Sequence, residues 1–158
     1  REYTSYEDFK NNFKFRVPEN FNFAYDVVDR YAASDPDKRA LVWVDDNGEE
    51  KFFTFSDISR ESKRCAYFLF SQGIRKGDAV MLILRRRYEF WWFIIALHRI
   101  GAIVVPATDQ LLESDIVYRN NAAQIKMIVS YENPAIQTEI ENASKKDTFC
   151  KRSCYSRR

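Results

Sequence analysis

Three short β-rich segments that alternate with helical patterns constrain the fold of this chain most. Residues 79–84 form a continuous apolar run, and residues 102–105 and 126–130 are two further strand candidates. Apolar residues at helical spacing occupy the intervals, at about 88–100 and 114–123. A continuous apolar run indicates a strand covered on both faces. We therefore predict an α/β fold with a mostly parallel sheet and helices on both faces.

A β-hairpin is predicted to precede this sheet. The β-rich segments 40–44 and 51–55 are joined by Asp-Asp-Asn-Gly at 45–48, and Asn-Gly between apolar segments is a strong hairpin signal. Residues 22–33 have helical spacing, and a further helix is predicted to begin at the capping residue Ser56 and to end before Gly73.

Composition indicates a globular protein without a membrane span. The 158 residues are 46% hydrophobic and 30% charged, which excludes disordered and collagen-like classes. The longest apolar run, residues 90–97, is far shorter than the roughly 20 residues that span a bilayer. No apolar leader follows the first residues, and Cys65 is the only cysteine before residue 144. These features predict a cytoplasmic protein in a reducing compartment.

The formal charge of +2 arises from the last fifteen residues. From Ser144 onward there are six Lys or Arg and one acid, so the rest of the chain carries 19 basic and 22 acidic residues. We predict that residues 144–158 form an atypical basic tail that is non-native or disordered. The spacing of Cys150 and Cys154 is a poor zinc signal, so no metal site is predicted. The negative body opposes nucleic-acid binding by the tail, and no nucleic-acid partner is expected.

Five segments in order also carry a family resemblance: residues 53–59, 73–80, 96–102, 106–110 and 115–119. Together they resemble the N-terminal part of acyl-CoA synthetases, which belong to the adenylate-forming (AMP-binding) superfamily. Residues 87–92 and the Thr108-x-Gln110 motif are similar to the medium-chain branch. The resemblance implies that residues 1–143 are the N-terminal portion of an AMP-binding domain, the large domain of an adenylate-forming enzyme.

The resemblance implies an AMP-forming acid-thiol ligase. A carboxylic (fatty) acid and ATP form an acyl-adenylate, and coenzyme A then displaces AMP. ATP, coenzyme A and Mg²⁺ are expected for the full-length enzyme. The phosphate-binding loop and the other ATP motifs of the family do not occur in this sequence, which has four glycines. The expectation is an N-terminal fragment that is inactive alone and holds none of these cofactors.

The resemblance also suggests a ligand site in the loop after a buried strand. Gln110 of the Thr-x-Gln motif corresponds to a residue beside the pantetheine of coenzyme A, and Thr108 and Asp109 are its neighbours. The alternative is a loop glutamine that bonds nearby backbone. No catalytic residue is predicted, and His98 has no nucleophile or acid at a motif spacing.

Two further features have alternative interpretations. The arginines 85–87 are predicted to form a solvated rim, with phosphate binding as the alternative. The aromatic run 90–94 is predicted to pack on two sides, and apolar surface left exposed in a fragment predicts self-association. A stand-alone, non-catalytic α/β module that binds coenzyme A or a protein partner remains the alternative function.

Overall fold

The computed structural model describes residues 2–146, 150 and 153–156. The first half of the chain contains helices and one hairpin, with the bounds α1 (Tyr6–Asn12), a π-helical segment (Ala24–Asp29) that continues into α2 (Arg30–Ser34), β1 (Arg39–Val44), β2 (Glu50–Thr54) and α3 (Phe55–Ser71). The second half alternates strictly between strand and helix: β3 (Ala79–Ile83), α4 (Glu89–Ile100), β4 (Ile103–Pro106), α5 (Glu113–Ala123), β5 (Ile125–Tyr131), α6 (Pro134–Lys146) and β6 (Ser153–Ser156).

The predicted parallel sheet is confirmed. Its strand order is β4-β3-β5-β6, and each neighbouring pair is parallel. Strand β3 is buried along its whole length. Its side chains alternate between two core clusters: Met81 and Ile83 face α5 and α6, whereas Val80 and Leu82 face α3 and α4. Helices therefore cover both faces, as the apolar run predicts.

The hairpin is confirmed, but its loop is longer than an Asn-Gly turn. Strands β1 and β2 pair antiparallel, with Val44 opposite Glu50, which leaves five residues in the loop. The carboxylate of Asp45 accepts hydrogen bonds from the backbone N–H groups of Asn47 and Glu49, both at 2.8 Å. Gly48 takes a positive φ of 83° in this loop.

Helix α3 begins two residues earlier than predicted, because Thr54 and not Ser56 is its N-cap. The Thr54 hydroxyl accepts from the backbone N–H of Asp57 at 3.1 Å, and the Asp57 carboxylate accepts from the Thr54 N–H at 2.9 Å. This reciprocal capping box satisfies two helix-end donors. Gly101, at φ 69°, ends α4 as predicted.

An Arg–Asp pair joins the helices on the α3 side of the molecule. Arg99 of α4 donates twice to Asp29, at 2.6 and 2.7 Å. Its Nε donates to Ser62 of α3 at 3.0 Å, and Ser59 donates to Asp29 at 2.6 Å. The Arg99 hydrogen bonds are the main cause that lowers the pKa of Asp29 to about 2.

Part of the predicted tail has regular secondary structure. Helix α6 crosses the predicted boundary at residue 143, and β6 extends the sheet by pairing with β5. Cys150 is buried, and Cys154 packs against the cluster shared by α3 and α4. The four residues of β6, Ser-Cys-Tyr-Ser, carry no charge, and their backbone groups pair with those of β5. Residues 147–149, 151, 152, 157 and 158 lie outside the described residues, and a non-native origin stays a prediction.

Candidate functional site

The carboxyl ends of three adjacent strands meet at one edge of the sheet. The loop at 84–88 follows β3, the loop at 107–112 follows β4, and residues 132–133 follow β5. Since β3 lies between β4 and β5, the three segments are neighbours in space. Parallel α/β sheets bind their ligands at this edge, so the predicted site loop lies where the topology favours a site.

The three predicted site residues occupy the loop between β4 and α5. Thr108 and Gln110 are exposed, and the side chain of Asp109 is 22% exposed. The backbone N–H of Gln110 donates to the Thr108 hydroxyl at 3.3 Å. This bond stabilises a local turn and leaves the Gln110 side chain facing solvent, where it can meet a ligand.

A network that the sequence interpretation missed ties this loop to the other two strands. The hydroxyl of Tyr131, the last residue of β5, donates to Asp109 Oδ2 at 2.7 Å. Asn133 donates its amide to the same hydroxyl at 3.2 Å. Arg85, just after β3, places its Nε 3.8 Å from Asp109 Oδ2. The topological rule that selected the β4 loop also applies to the ends of β3 and β5, so it could have predicted these residues.

The electrostatics of the network favour a neutral phenol. Burial is the main cause that raises the pKa of Tyr131, and the hydrogen bond to Asp109 and the Asp109 charge raise it further. The Arg85 guanidinium acts in the opposite direction. Tyr131 therefore remains a hydrogen-bond donor at neutral pH.

Arg85 has a left-handed backbone with φ 47°. A non-glycine residue in this region carries steric strain of about 1–2 kcal/mol. The conformation turns the chain at once after the buried strand β3. Strain of this kind is often found at functional sites.

A cavity of about 390 Å³ lies beside the network. It separates the hairpin, including Trp43 of β1 and Lys51 of β2, from the loop at 85–88, and Tyr131 contributes to its wall. The indole N–H of Trp43 donates to the Arg86 carbonyl at 2.6 Å and holds the hairpin against this loop. Residues 108–110 are not among the described residues that line the cavity. The Gln110 loop and the cavity are therefore distinct, and Tyr131 contacts both.

The predicted arginine rim is correct for two of its three members. Arg85 and Arg86 have side chains that are 54% and 83% exposed. Arg87 instead turns inward and pairs with Glu89, and both side chains are largely buried. The predicted two-sided packing of the aromatic run is confirmed. Phe93 packs on the cluster that faces α3, and Trp92 packs on a separate cluster built around Val28 and Ile58.

Other candidate groups have environments that oppose reactivity. Burial lowers the pKa of His98, and its ring lies edge-on to Phe23. Burial raises the pKa values of Cys65 and Cys154 to about 12, so both thiols are protonated and weakly nucleophilic at neutral pH. Within the described residues, no three His, Cys, Asp or Glu side chains are grouped as a metal site would require.

The fold and this edge define an α/β protein with a parallel sheet covered by helices on both faces, and comparison with known proteins gives the family. A family model described as AMP-binding enzyme matches residues 28–156, which include β6. The chain therefore belongs to the AMP-binding enzyme family, as the resemblance implied.

Curated relatives are acyl-coenzyme A synthetases by name. The mitochondrial acyl-coenzyme A synthetase ACSM3 of Rattus norvegicus is 33% identical over 144 residues, which cover 87% of this chain and 25% of the relative. The corresponding protein of Homo sapiens is 35% identical over 134 residues, which cover 81% of this chain and 23% of the relative. The chain thus spans about a quarter of the length of these relatives.

Solved structures of similar proteins share the fold. An acyl-CoA synthetase from Brucella canis superposes with a TM-score of 0.80 at 25% identity and covers 97% of this chain and 28% of that chain. A fatty acyl CoA synthetase from Mycobacterium tuberculosis gives a TM-score of 0.73 at 20% identity, over 85% of this chain and 26% of that chain. In the part of the chain that is described, no helix combines the length and apolarity that a bilayer crossing needs.

Proposed function

We propose that this chain is the N-terminal part of an ATP-dependent acyl-CoA synthetase. The whole enzyme would convert a carboxylic acid, ATP and coenzyme A into acyl-CoA, AMP and pyrophosphate. The observation that carries this proposal is the family match over residues 28–156, together with the names of the relatives. A fatty acid is the proposed substrate class.

In this proposal the chain contributes the coenzyme side of the site. The exposed amide of Gln110 hydrogen-bonds the pantetheine arm, because an amide can both donate to and accept from the amides of that arm. The Thr108 hydroxyl supports the Gln110 backbone, and Asp109 anchors the loop to Tyr131. The role of these residues is to orient the thiol for attack on the acyl-adenylate.

The described residues do not by themselves fit ATP or Mg²⁺. They contain no grouped metal-ligating side chains. All four glycines have positive φ, and the two that are close in sequence, Gly73 and Gly77, lack the Gly-Lys-Ser/Thr order of a phosphate-binding loop. We therefore assign no step through Mg²⁺ to this chain, and we place ATP and metal binding in the remainder of the proposed enzyme.

The first test measures adenylate formation. The 158-residue chain should not exchange labelled pyrophosphate into ATP with any fatty acid, whereas full-length rat ACSM3 provides the positive control. Carboxylate-dependent exchange above the no-enzyme background would contradict the proposed division of the site. Stabilisation of the isolated chain by coenzyme A in scanning calorimetry, without any exchange, would favour the stand-alone binding module.

The second test concerns Gln110 in an enzyme completed to the length of its relatives. Gln110→Ala should slow thioester formation roughly two- to tenfold while adenylate formation stays nearly unchanged, because one neutral hydrogen bond is lost. Gln137→Ala, at a partly exposed position on α6, is the matched control. Equal losses in both half-reactions would indicate a folding effect, and no loss would exclude Gln110 from the site.

Compartment and association state also belong to this proposal. We keep the cytoplasm as the proposed compartment, while the rat and human relatives are named as mitochondrial; cell fractionation distinguishes the two. Exposed aromatic side chains, including Tyr67 at 79% and Trp91 at 47%, support self-association of the isolated chain. Sedimentation velocity over a concentration series tests this.

A further inference from the structure

Tyr131 contacts the site loop at its central residue. Asp109 lies between Thr108 and Gln110, and its Oδ2 receives the Tyr131 hydroxyl hydrogen at 2.7 Å. The acceptor is a carboxylate, and hydrogen bonds to charged acceptors are stronger than neutral ones. A restraint on Asp109 therefore limits the movement of Gln110, which is the next residue.

The donor is itself held in place from two directions. Tyr131 is the last residue of β5, where its backbone pairs with Ser156 of β6. Its hydroxyl also accepts the amide hydrogen of Asn133 at 3.2 Å. Arg85 approaches the same carboxylate, but at 3.8 Å from a side chain that is 54% exposed. An exposed pair at that distance contributes little, so the tyrosine supplies the main restraint.

We propose that Tyr131 is the positioning residue of the Gln110 loop, and that its hydroxyl clamps Asp109 so that Gln110 is presented in one orientation at the ligand edge. This inference rests on the proposed role of Gln110 at the pantetheine arm. Tyr131 acts through Asp109 and does not itself touch the coenzyme.

The clamp requires a protonated phenol. Deprotonation would remove the donor and place a second negative charge beside Asp109. Other charged groups line the same cavity as Tyr131: Asp45, Asp46 and Glu49 from the hairpin loop, Lys51 from β2, and Arg85, Arg86 and Arg87 from the loop after β3. Because burial and the Asp109 carboxylate raise the pKa of Tyr131, the clamp is closed at neutral pH and opens only in alkaline solution.

Hydrogen exchange of the 158-residue chain tests the restraint. Tyr131→Phe removes the hydroxyl and keeps the ring, so the Gln110 amide should exchange roughly tenfold faster in the NMR experiment. Tyr118→Phe, at an exposed position on α5, is the control and should leave this rate unchanged. An unchanged Gln110 rate in folded Tyr131→Phe would overturn the proposal.

A pH titration of the wild type keeps the proposal testable if Tyr131→Phe does not fold. The carbon shift of the Thr108 methyl group should move with the same alkaline midpoint as ionisation of one tyrosine, followed by ultraviolet absorbance. Asp109→Asn should lower that midpoint, because the charge that raises the pKa is removed. A Thr108 shift that stays constant while the tyrosines ionise would contradict the clamp.

Steady-state kinetics with coenzyme A separate this inference from the proposed function. In the completed enzyme, Tyr131→Phe should raise the KM for coenzyme A severalfold with a smaller change in kcat, whereas Tyr118→Phe should change neither. Suppose that the exchange experiment supports the clamp, but Gln110→Ala either loses activity in both half-reactions or has no effect on either. This result would defeat the proposed role of Gln110 and leave the clamp intact. Fast Gln110 exchange in the wild type, with normal coenzyme A binding, would defeat the clamp only.

Discussion

The arginine–aspartate–hydroxyl networks around Arg99 and around Arg85 differ in burial. Arg99 is 3% exposed, donates to Asp29 through two nitrogens and also reaches a serine of α3. Arg85 is 54% exposed, lies 3.8 Å from Asp109 and shares that carboxylate with a tyrosine. The residue types are similar, but one network joins helices inside the molecule and the other borders a ligand edge.

The difference shows that burial determines the role of each network. A buried arginine requires partners for its hydrogens, since an unpaired charge in the interior is very costly. The Arg99 network therefore has a fixed geometry and serves the fold. The Arg85 network is partly hydrated, so its contacts can be exchanged at low cost, which suits a loop that must accept a ligand.

The largest effect is expected from Arg99→Met. Removing the guanidinium leaves the Asp29 charge without its main partner, and we expect a loss of about 3 kcal/mol or more in the free energy of unfolding. Arg85→Met is the matched variant and should cost less than about 1 kcal/mol. Urea unfolding followed by circular dichroism measures both, and equal losses would remove the distinction between the networks.

The next effect concerns support of the ligand edge by β6. A chain that ends at Lys146 lacks β6 and the buried Cys150, and it uncovers one side of β5. We expect a loss of about 2 kcal/mol from the apolar surface exposed, together with faster exchange in the Gln110 loop. A chain that ends at Ser156 retains β6 and is the control. Identical melting temperatures for the two truncations would show that β6 contributes nothing.

The contribution of the Asp29 network to the free energy of unfolding should depend on pH. The pKa of Asp29 is about 2 in the folded state and 3.8 ordinarily, so the unfolded state binds more protons between these values. The stabilisation is present above about pH 4 and is lost as the pH falls towards 2. In Asp29→Asn, the free energy of unfolding measured with urea should change less between pH 4 and pH 2 than in the wild type. An unchanged pH dependence would contradict the lowered pKa of Asp29.

The smallest effect is expected from Arg85→Gly. Glycine removes the left-handed strain at φ 47°, which should raise the free energy of unfolding by roughly 1 kcal/mol. Arg86→Gly is the control, because Arg86 lies outside the left-handed region, and there glycine should be neutral or destabilising. A melting temperature that falls in both variants would show that the Arg85 conformation is not strained.

Local patterns in the sequence determined much of the fold. The apolar run that became β3, the hairpin segments and Gly101 at the end of α4 could all be predicted, because each depends on neighbouring residues. The loop at 108–110 could be placed after a strand of the parallel sheet, but that strand, β4, lies at the sheet edge and is partly exposed and not buried as expected. The ligand role of the loop stays a prediction. The predicted N-cap of α3 was wrong. Thr54 and not Ser56 caps the helix, because Thr54 and Asp57 hydrogen-bond each other reciprocally.

Contacts between distant residues were decided only by the tertiary structure. Tyr131 and Asp109 are 22 positions apart, and Arg99 and Asp29 are 70 apart, so no periodicity connects them. Strand β6 pairs with backbone groups of β5, and the basic composition of the tail that contains it gives no sign of this. Sequence patterns report local conformation, whereas these contacts depend on which elements the packed sheet brings side by side.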